Sequence, residues 1–183
     1  RGQDTAKFLL PGLGMVAHAE EFAQRTQSPD PSLIPRYVEL ARASGTGLIT
    51  TLTLNDRLLE MVRDLESLKA RPELASLHPS VRQIWLEHNP YVSRATRGYI
   101  AFLERIVAFN KQLVKAFADA GIPILTGTDA IVPGVVPGFS LQDELAAQLQ
   151  SPASRTSRSP PSPPPASCSS SISPRTATTA RSC

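Results

Sequence analysis

The chain has 183 residues, which as a prior is one domain, and a formal net charge of +3. That surplus is local: residues 151–183 hold four Arg and no acid, which leaves residues 1–150 slightly acidic, so a basic nucleic-acid-binding domain is not indicated. No run of 18 apolar residues occurs, which excludes a helix spanning a membrane, and the first residues lack the charged-then-apolar layout of a signal peptide.

In chain order, Leu9 to Val16 puts an apolar run around the Pro11-Gly12 turn, and Met15 to His18 is expected to be a buried strand ending at a histidine followed by Glu20 and Glu21. Ser32 is the expected cap of a helix with Pro35 in its first turn. Ile34, Tyr37, Val38 and Ala41 carry its apolar face, and Gly45 stops it. Thr46 to Leu54, rich in β-branched and aliphatic residues, predicts the next strand, and Asn55-Asp56 the cap of a helix through Leu58, Leu59, Met61, Val62 and Leu65. Residues 71–93, with three prolines, read as an inserted mixture of helix and loop in which Trp85 packs on apolar neighbours. From Tyr99 to Ala120 the apolar residues trace one face of a long helix, closed by Gly121. Ile122 to Asp129 predicts a short apolar strand, with Pro123 in its first part, ending in small polar residues and an acid. Ser140 to Gln150 predicts a last helix with Leu141, Leu145 and Leu149 as its stripe.

The order is therefore βαβα, an insertion, then αβα. This argues for an α/β fold with a parallel sheet and helices outside, either doubly wound or part of a (β/α) barrel. A whole barrel takes about 250 residues, so residues 1–150 supply only part of one. The tail, 151–183, has eleven Ser, seven Pro and one large aliphatic, Ile172, and is expected to be disordered. Both cysteines, Cys168 and Cys183, lie there, leaving residues 1–150 without a disulfide framework or a Cys-based metal site. The Pro-rich stretch 159–165 fits a polyproline ligand, and so supports an alternative reading of the chain as a non-catalytic α/β interaction module that recruits a partner through its tail. A DNA-binding regulator is the poorest reading, because the positive charge is sparse and lies where no helix is expected.

Two polar residues, His18 and Asp129, sit at the C-terminal ends of predicted strands, the edge where parallel α/β folds build their sites. A neutral imidazole and a carboxylate converging there suit a divalent metal, with the acid taking the proton of a metal-bound water. On spacing alone the same residues also read as a hydrogen-bonded histidine and a capping acid. Glu20 and Glu21 are either partners of His18 or an exposed loop pair. His78 and His88, among Pro, Asn and Arg, are expected at the surface. With no GxGxxG and no P-loop, dinucleotide and nucleotide-hydrolase readings drop out.

Leu125-Thr126-Gly127-Thr128-Asp129-Ala130, with Ala120-Gly121-Ile122-Pro123 before it and Pro137-Gly138-Phe139-Ser140-Leu141 and Glu144-Leu145 after it, resembles the last barrel strand of the amidohydrolase superfamily, in its imidazolonepropionase- and prolidase-like branch. Val16-Ala17-His18-Ala19-Glu20-Glu21 resembles the sixth-strand motif of that family, and Gly45 to Leu54 falls where the seventh strand belongs. The resemblance covers the last three of eight strands. It implies a partial TIM-type (β/α)8 barrel and a metal-dependent hydrolase, with zinc as the expected ion, acting on an amide or other C–N bond of a small molecule or dipeptide. Asp129 would ligate the metal and deprotonate water, and His18 would bind or neighbour a second metal. The first-strand HxH, the bridging lysine or acid and the fifth-strand histidine have no counterpart in the chain. The chain alone is accordingly expected to be inactive, with exposed strand edges that favour aggregation and too few ligands for zinc.

After the Glu-Leu helix the family continues with a Gly-Leu-Thr turn and another amphipathic helix, where this chain turns to Ser, Pro and Arg. Ser, Pro and Ala codons are TCN, CCN and GCN, and read from the third base of the Ser151 codon they permit Ala-Gly-Leu-Thr-X-Phe-Glu. Residues 151–183 are therefore expected to be a frameshifted translation of GC-rich coding sequence.

Overall fold

The computed structural model describes residues 12–24 and 29–150. The Ser/Pro/Arg tail, its cysteines and the 159–165 stretch lie outside them. The described residues are mixed α/β and mostly helical, built on a three-stranded parallel sheet in the order β1 (Met15–Ala17), β2 (Gly47–Ile49), β3 (Ile124–Leu125). Met15, Val16 and Ala17 pair with Gly47, Leu48 and Ile49, and Leu48 and Ile49 pair with Ile124 and Leu125. Gly47 N donates to Gly14 O at 2.9 Å on one side and Leu48 N to Pro123 O at 2.9 Å on the other, so β2 is the central strand.

All three strands are shorter than the apolar runs predict. β3 covers only Ile124–Leu125 of the strand expected over Ile122 to Asp129, and among the described residues it lies at the edge of the sheet with Leu125 half exposed.

Around the sheet run α1 (Glu20–Gln24), a 3-10 turn at Pro31–Leu33 and α2 (Ile34–Ser44). Ser32 does not cap α2 as expected from sequence: Leu33 stands in N-cap position without a side-chain bond, and Asp30 caps the preceding 3-10 turn, its Oδ1 accepting from Ser32 N at 3.0 Å and from the Ser32 hydroxyl at 2.7 Å. Gly45, with φ +69, ends α2 in the left-handed region, a position that glycine occupies without a Cβ penalty. α3 (Leu52–Arg63) starts three residues ahead of the expected Asn55-Asp56 cap, because its first amides are satisfied from elsewhere in the chain. The insertion is helical: α4 (Leu65–Lys69), a 3-10 turn at Pro72–Ser76, α5 (Pro79–Glu87) and a second 3-10 turn at Val92–Arg94. His78 and His88 flank α5 at the surface as expected, His78 Nδ1 accepting from Ser80 N at 3.3 Å.

α6 (Arg97–Asp119) is the long predicted helix, and it joins two apolar clusters. Its later residues, Ile106, Phe109, Leu113, Val114 and Phe117, pack with Val16, Phe22, Tyr37, Ala41 and Leu48 around the sheet. Phe22 lies 5.3 Å from Tyr37 and edge-on at 5.5 Å to Phe117, ring to ring. Its earlier residues, with Leu103 fully buried, pack with Leu54, Leu58, Met61, Leu68, Leu74 and Trp85, and with Val135 and Val136 from beyond β3. α3 pairs Asp56 with Lys111 at 2.9 Å and Arg63 with Glu104, so it runs antiparallel to α6, toward that helix's N-terminal half. The second cluster therefore gathers beyond the C-terminal ends of the strands.

α7 (Phe139–Gln150) forms where predicted but turned over. Leu141, Leu145 and Leu149 are exposed, and the buried face carries Ser140 and Glu144. Two polar ties explain the orientation: Glu144 points at the start of α3, and Asp143 meets Arg57 at 2.8 Å and Arg71 at 3.2 Å. Burial works against the charge on Arg57, but its bonds to Asp143 and Glu60 outweigh that and leave the guanidinium more basic than usual.

Candidate functional site

Three parallel strands leave three turns at one edge of the sheet, and each turn holds a non-glycine residue in the left-handed region: His18 (φ +71) after β1, Thr51 (φ +50) after β2 and Asp129 (φ +49) after β3. Such a conformation costs an L-residue about 1–2 kcal/mol, and it is least tolerable for a β-branched side chain such as threonine. Backbone strain of this kind persists where the surroundings over-determine it, and it concentrates at functional sites.

Hydrogen bonds tie the first two turns together. His18 N donates to Ile49 O at 3.0 Å and Ala19 N to Thr50 O at 3.2 Å, which holds the β1 turn against β2. Thr51 is buried, and its Oγ1 lies 3.3 Å from Nδ1 of the half-buried His18. The third turn is held by Gly127: a Cβ there would collide with Cγ2 of Ile49, so glycine lets Thr126–Asp129 lie on the end of β2. Asp129 is exposed beyond it.

Glu20 opens α1 two residues after His18 and is half-buried. Burial pushes its carboxyl above the usual value. A hydrogen bond from Asn55 Nδ2 and the charge of His18 oppose that shift, and the charges of Glu21 and Asp129 add to it. His18, Glu20 and Asp129 thus share one electrostatic neighbourhood. Tyr99, at the start of α6, is also raised, by burial first and then by Tyr91 and Glu20 against Arg94, which places the N-terminal end of the long helix near the same group.

Beneath the turns is a polar cluster that spacing and composition do not predict. Glu144 is fully buried and accepts from Leu52 N at 2.9 Å, Thr53 N at 2.6 Å and the Thr50 hydroxyl. Thr51, the residue in N-cap position, makes no side-chain bond to α3, so a carboxylate from α7 does the capping. Gln148, one turn later, donates from Nε2 to Thr50 Oγ1 at 2.7 Å and accepts at Oε1 from Thr126 Oγ1 at 3.2 Å, which joins the ends of β2 and β3.

The structure places both sequence-predicted residues, His18 and Asp129, at the C-terminal edge, with Glu20 between them electrostatically. Residues 46–54 read as one strand, which hid Thr50 and Thr51. The one available signal was the polar pair itself, interrupting an apolar run at the point where β1 and β3 also turn polar. Among the described residues no group of three or more His, Cys, Asp or Glu is arranged to hold a metal ion. A groove of about 530 Å³ between α3 and α6, lined among others by Asp56, Arg63, Val107 and Lys111, shares no residue with this edge. No family model, no curated protein and no solved structure matches the chain.

Proposed function

We propose that the chain is the C-terminal part of a metal-dependent hydrolase of the amidohydrolase kind, a partial (β/α)8 barrel that in complete form cleaves an amide or other C–N bond of a small molecule or dipeptide. The observation that carries this reading is the coincidence at one sheet edge of three left-handed, non-glycine turn residues, two of them the histidine and the aspartate of the motifs that resemble that family's. Order of strands and parallel pairing agree with it. A catalytic zinc takes three protein ligands and one open position. The described residues offer His18 and Asp129 and fall short of that set, so the reading requires ligands from outside them and no step is routed through the metal. What the chain itself supplies is Asp129: an exposed carboxylate at the strand end accepts a proton from the attacking water and returns it to the leaving nitrogen.

Sequencing the source DNA upstream of the Arg1 codon and across codons 149–151 tests the assignment. An upstream HxH and an Ala-Gly-Leu-Thr continuation in one frame support it; a stop just upstream together with a confirmed Ser/Pro tail overturns it in favour of the interaction module. In the product of a complete frame, assayed with added zinc on a panel of dipeptides and N-acyl amino acids, Asp129→Asn lowers kcat by about 10²–10⁴-fold. Unchanged turnover removes Asp129 from the mechanism.

A further inference from the structure

We propose that Thr51 is the positioning residue of His18: it holds Nδ1 in a hydrogen bond and leaves Nε2 as the ring nitrogen presented to the sheet edge, while Glu144 on α7 locks Thr51 in place. The first part rests on the 3.3 Å approach of Thr51 Oγ1 to His18 Nδ1, made by a buried hydroxyl on a backbone that only a constrained turn keeps left-handed. The second rests on where the bonds of Glu144 fall. They reach Thr50 on one side of Thr51 and Leu52 and Thr53 on the other, so a single buried carboxylate grips the chain on both flanks of the residue that touches the imidazole.

A capping acid alone would need the amides of Leu52 and Thr53. The added bond from Thr50, itself held by Gln148, fixes the peptide that carries Thr51 into the turn. The hydroxyl can donate or accept, so either ring tautomer satisfies the contact and the bond to Nδ1 is what persists. The use of Nε2 in catalysis rests on the hydrolase reading; the hydrogen bond does not, so the test reads the ring and not turnover.

The chain has three histidines, which gives three ring systems in a long-range proton–nitrogen spectrum of the full chain labelled with ¹⁵N-histidine. His78 and His88, at the ends of α5, serve as internal references. At a pH where the rings are neutral, the His18 nitrogen shifts in the unaltered chain are expected to carry the signature of a hydrogen-bonded Nδ1. Thr51→Val, close in shape but without the hydroxyl, moves the His18 nitrogen shifts toward those of a ring whose Nδ1 lacks that bond. Thr51→Ser restores them, and Glu144→Gln, which cannot accept all three bonds, moves them the same way as Thr51→Val. His78 and His88 stay in place throughout. Identical His18 shifts in the unaltered chain and folded Thr51→Val overturn the proposal, as does a Thr51→Ser chain that resembles Thr51→Val. Should Glu144→Gln fail to fold, the threonine pair still decides the assignment of the ring. A ring assignment that stands beside an Asp129→Asn enzyme of full activity would refute the hydrolase reading and leave the positioning role intact.

Discussion

The two apolar clusters are assembled on different principles. Around the sheet, Val16, Phe22, Tyr37, Leu48, Phe109 and Phe117 come from four separate stretches and meet only because parallel pairing brings them together. In the helical part, residues 54 to 103 supply most of the cluster from one continuous length of chain, closed by Val135 and Val136. Of the four left-handed non-glycine residues among those described, His18, Thr51 and Asp129 follow the strands of the first region, and the fourth, Ile131, lies in the segment that enters the second. This fold tolerates strain at the sheet edge, where buried hydrogen bonds compensate for it, and hardly at all among locally packed helices.

The strongest way to break this contrast is to cut each core separately. Phe109→Ala and Leu74→Ala, one in each cluster, should each cost about 2–5 kcal/mol, the range for large-to-small core changes. Because α6 runs through both clusters, urea unfolding followed by fluorescence of the single tryptophan, Trp85, should coincide with unfolding followed by far-ultraviolet circular dichroism in both variants. Separate midpoints for Leu74→Ala would show two independent units. A smaller effect of opposite sign tests the strain. Ile131 has φ +97 and is 78% exposed, so Ile131→Gly should raise stability by about 1 kcal/mol by relieving the backbone at little cost in packing. A loss on thermal or urea denaturation would show that the backbone is not strained at Ile131.

The smallest effect concerns Glu20, whose carboxyl is raised by burial. The folded state holds its proton more tightly than the unfolded chain, so ionised Glu20 costs stability above its raised folded value and costs nothing below the ordinary glutamate range. Glu20→Gln keeps an acceptor for Asn55 and should stabilise the chain at neutral pH, a gain that fades as the pH falls through the carboxylate range. Denaturation midpoints measured across that range check it; a gain that persists in acid points to packing instead.

The places of His18 and Asp129 at the sheet edge were legible because each follows an apolar run that contains a strand, and the helices from Ile34, Arg97 and Phe139 were legible from their spacing. Thr51 was not, since it stands inside a stretch whose composition is that of a strand throughout, and only tertiary bonds convert its second half to helix. Glu144 was not legible as a capping residue either. The leucines of α7 carry the apolar signal, yet the helix turns its carboxylate inward, because unmet amides at the start of α3 cost more than exposed leucine side chains. Period alone cannot rank those two demands.

The bond from Glu144 to Thr53 spans 91 residues. On the ribosome, strands β1 and β2 and helix α3 are all made long before the carboxylate that completes them emerges, so α3 must wait with uncapped amides while the whole insertion and α6 are synthesised. Nascent chains stalled ahead of residue 144 are therefore expected to lack a fixed β2 turn, and the final helix acts as the closing step of assembly.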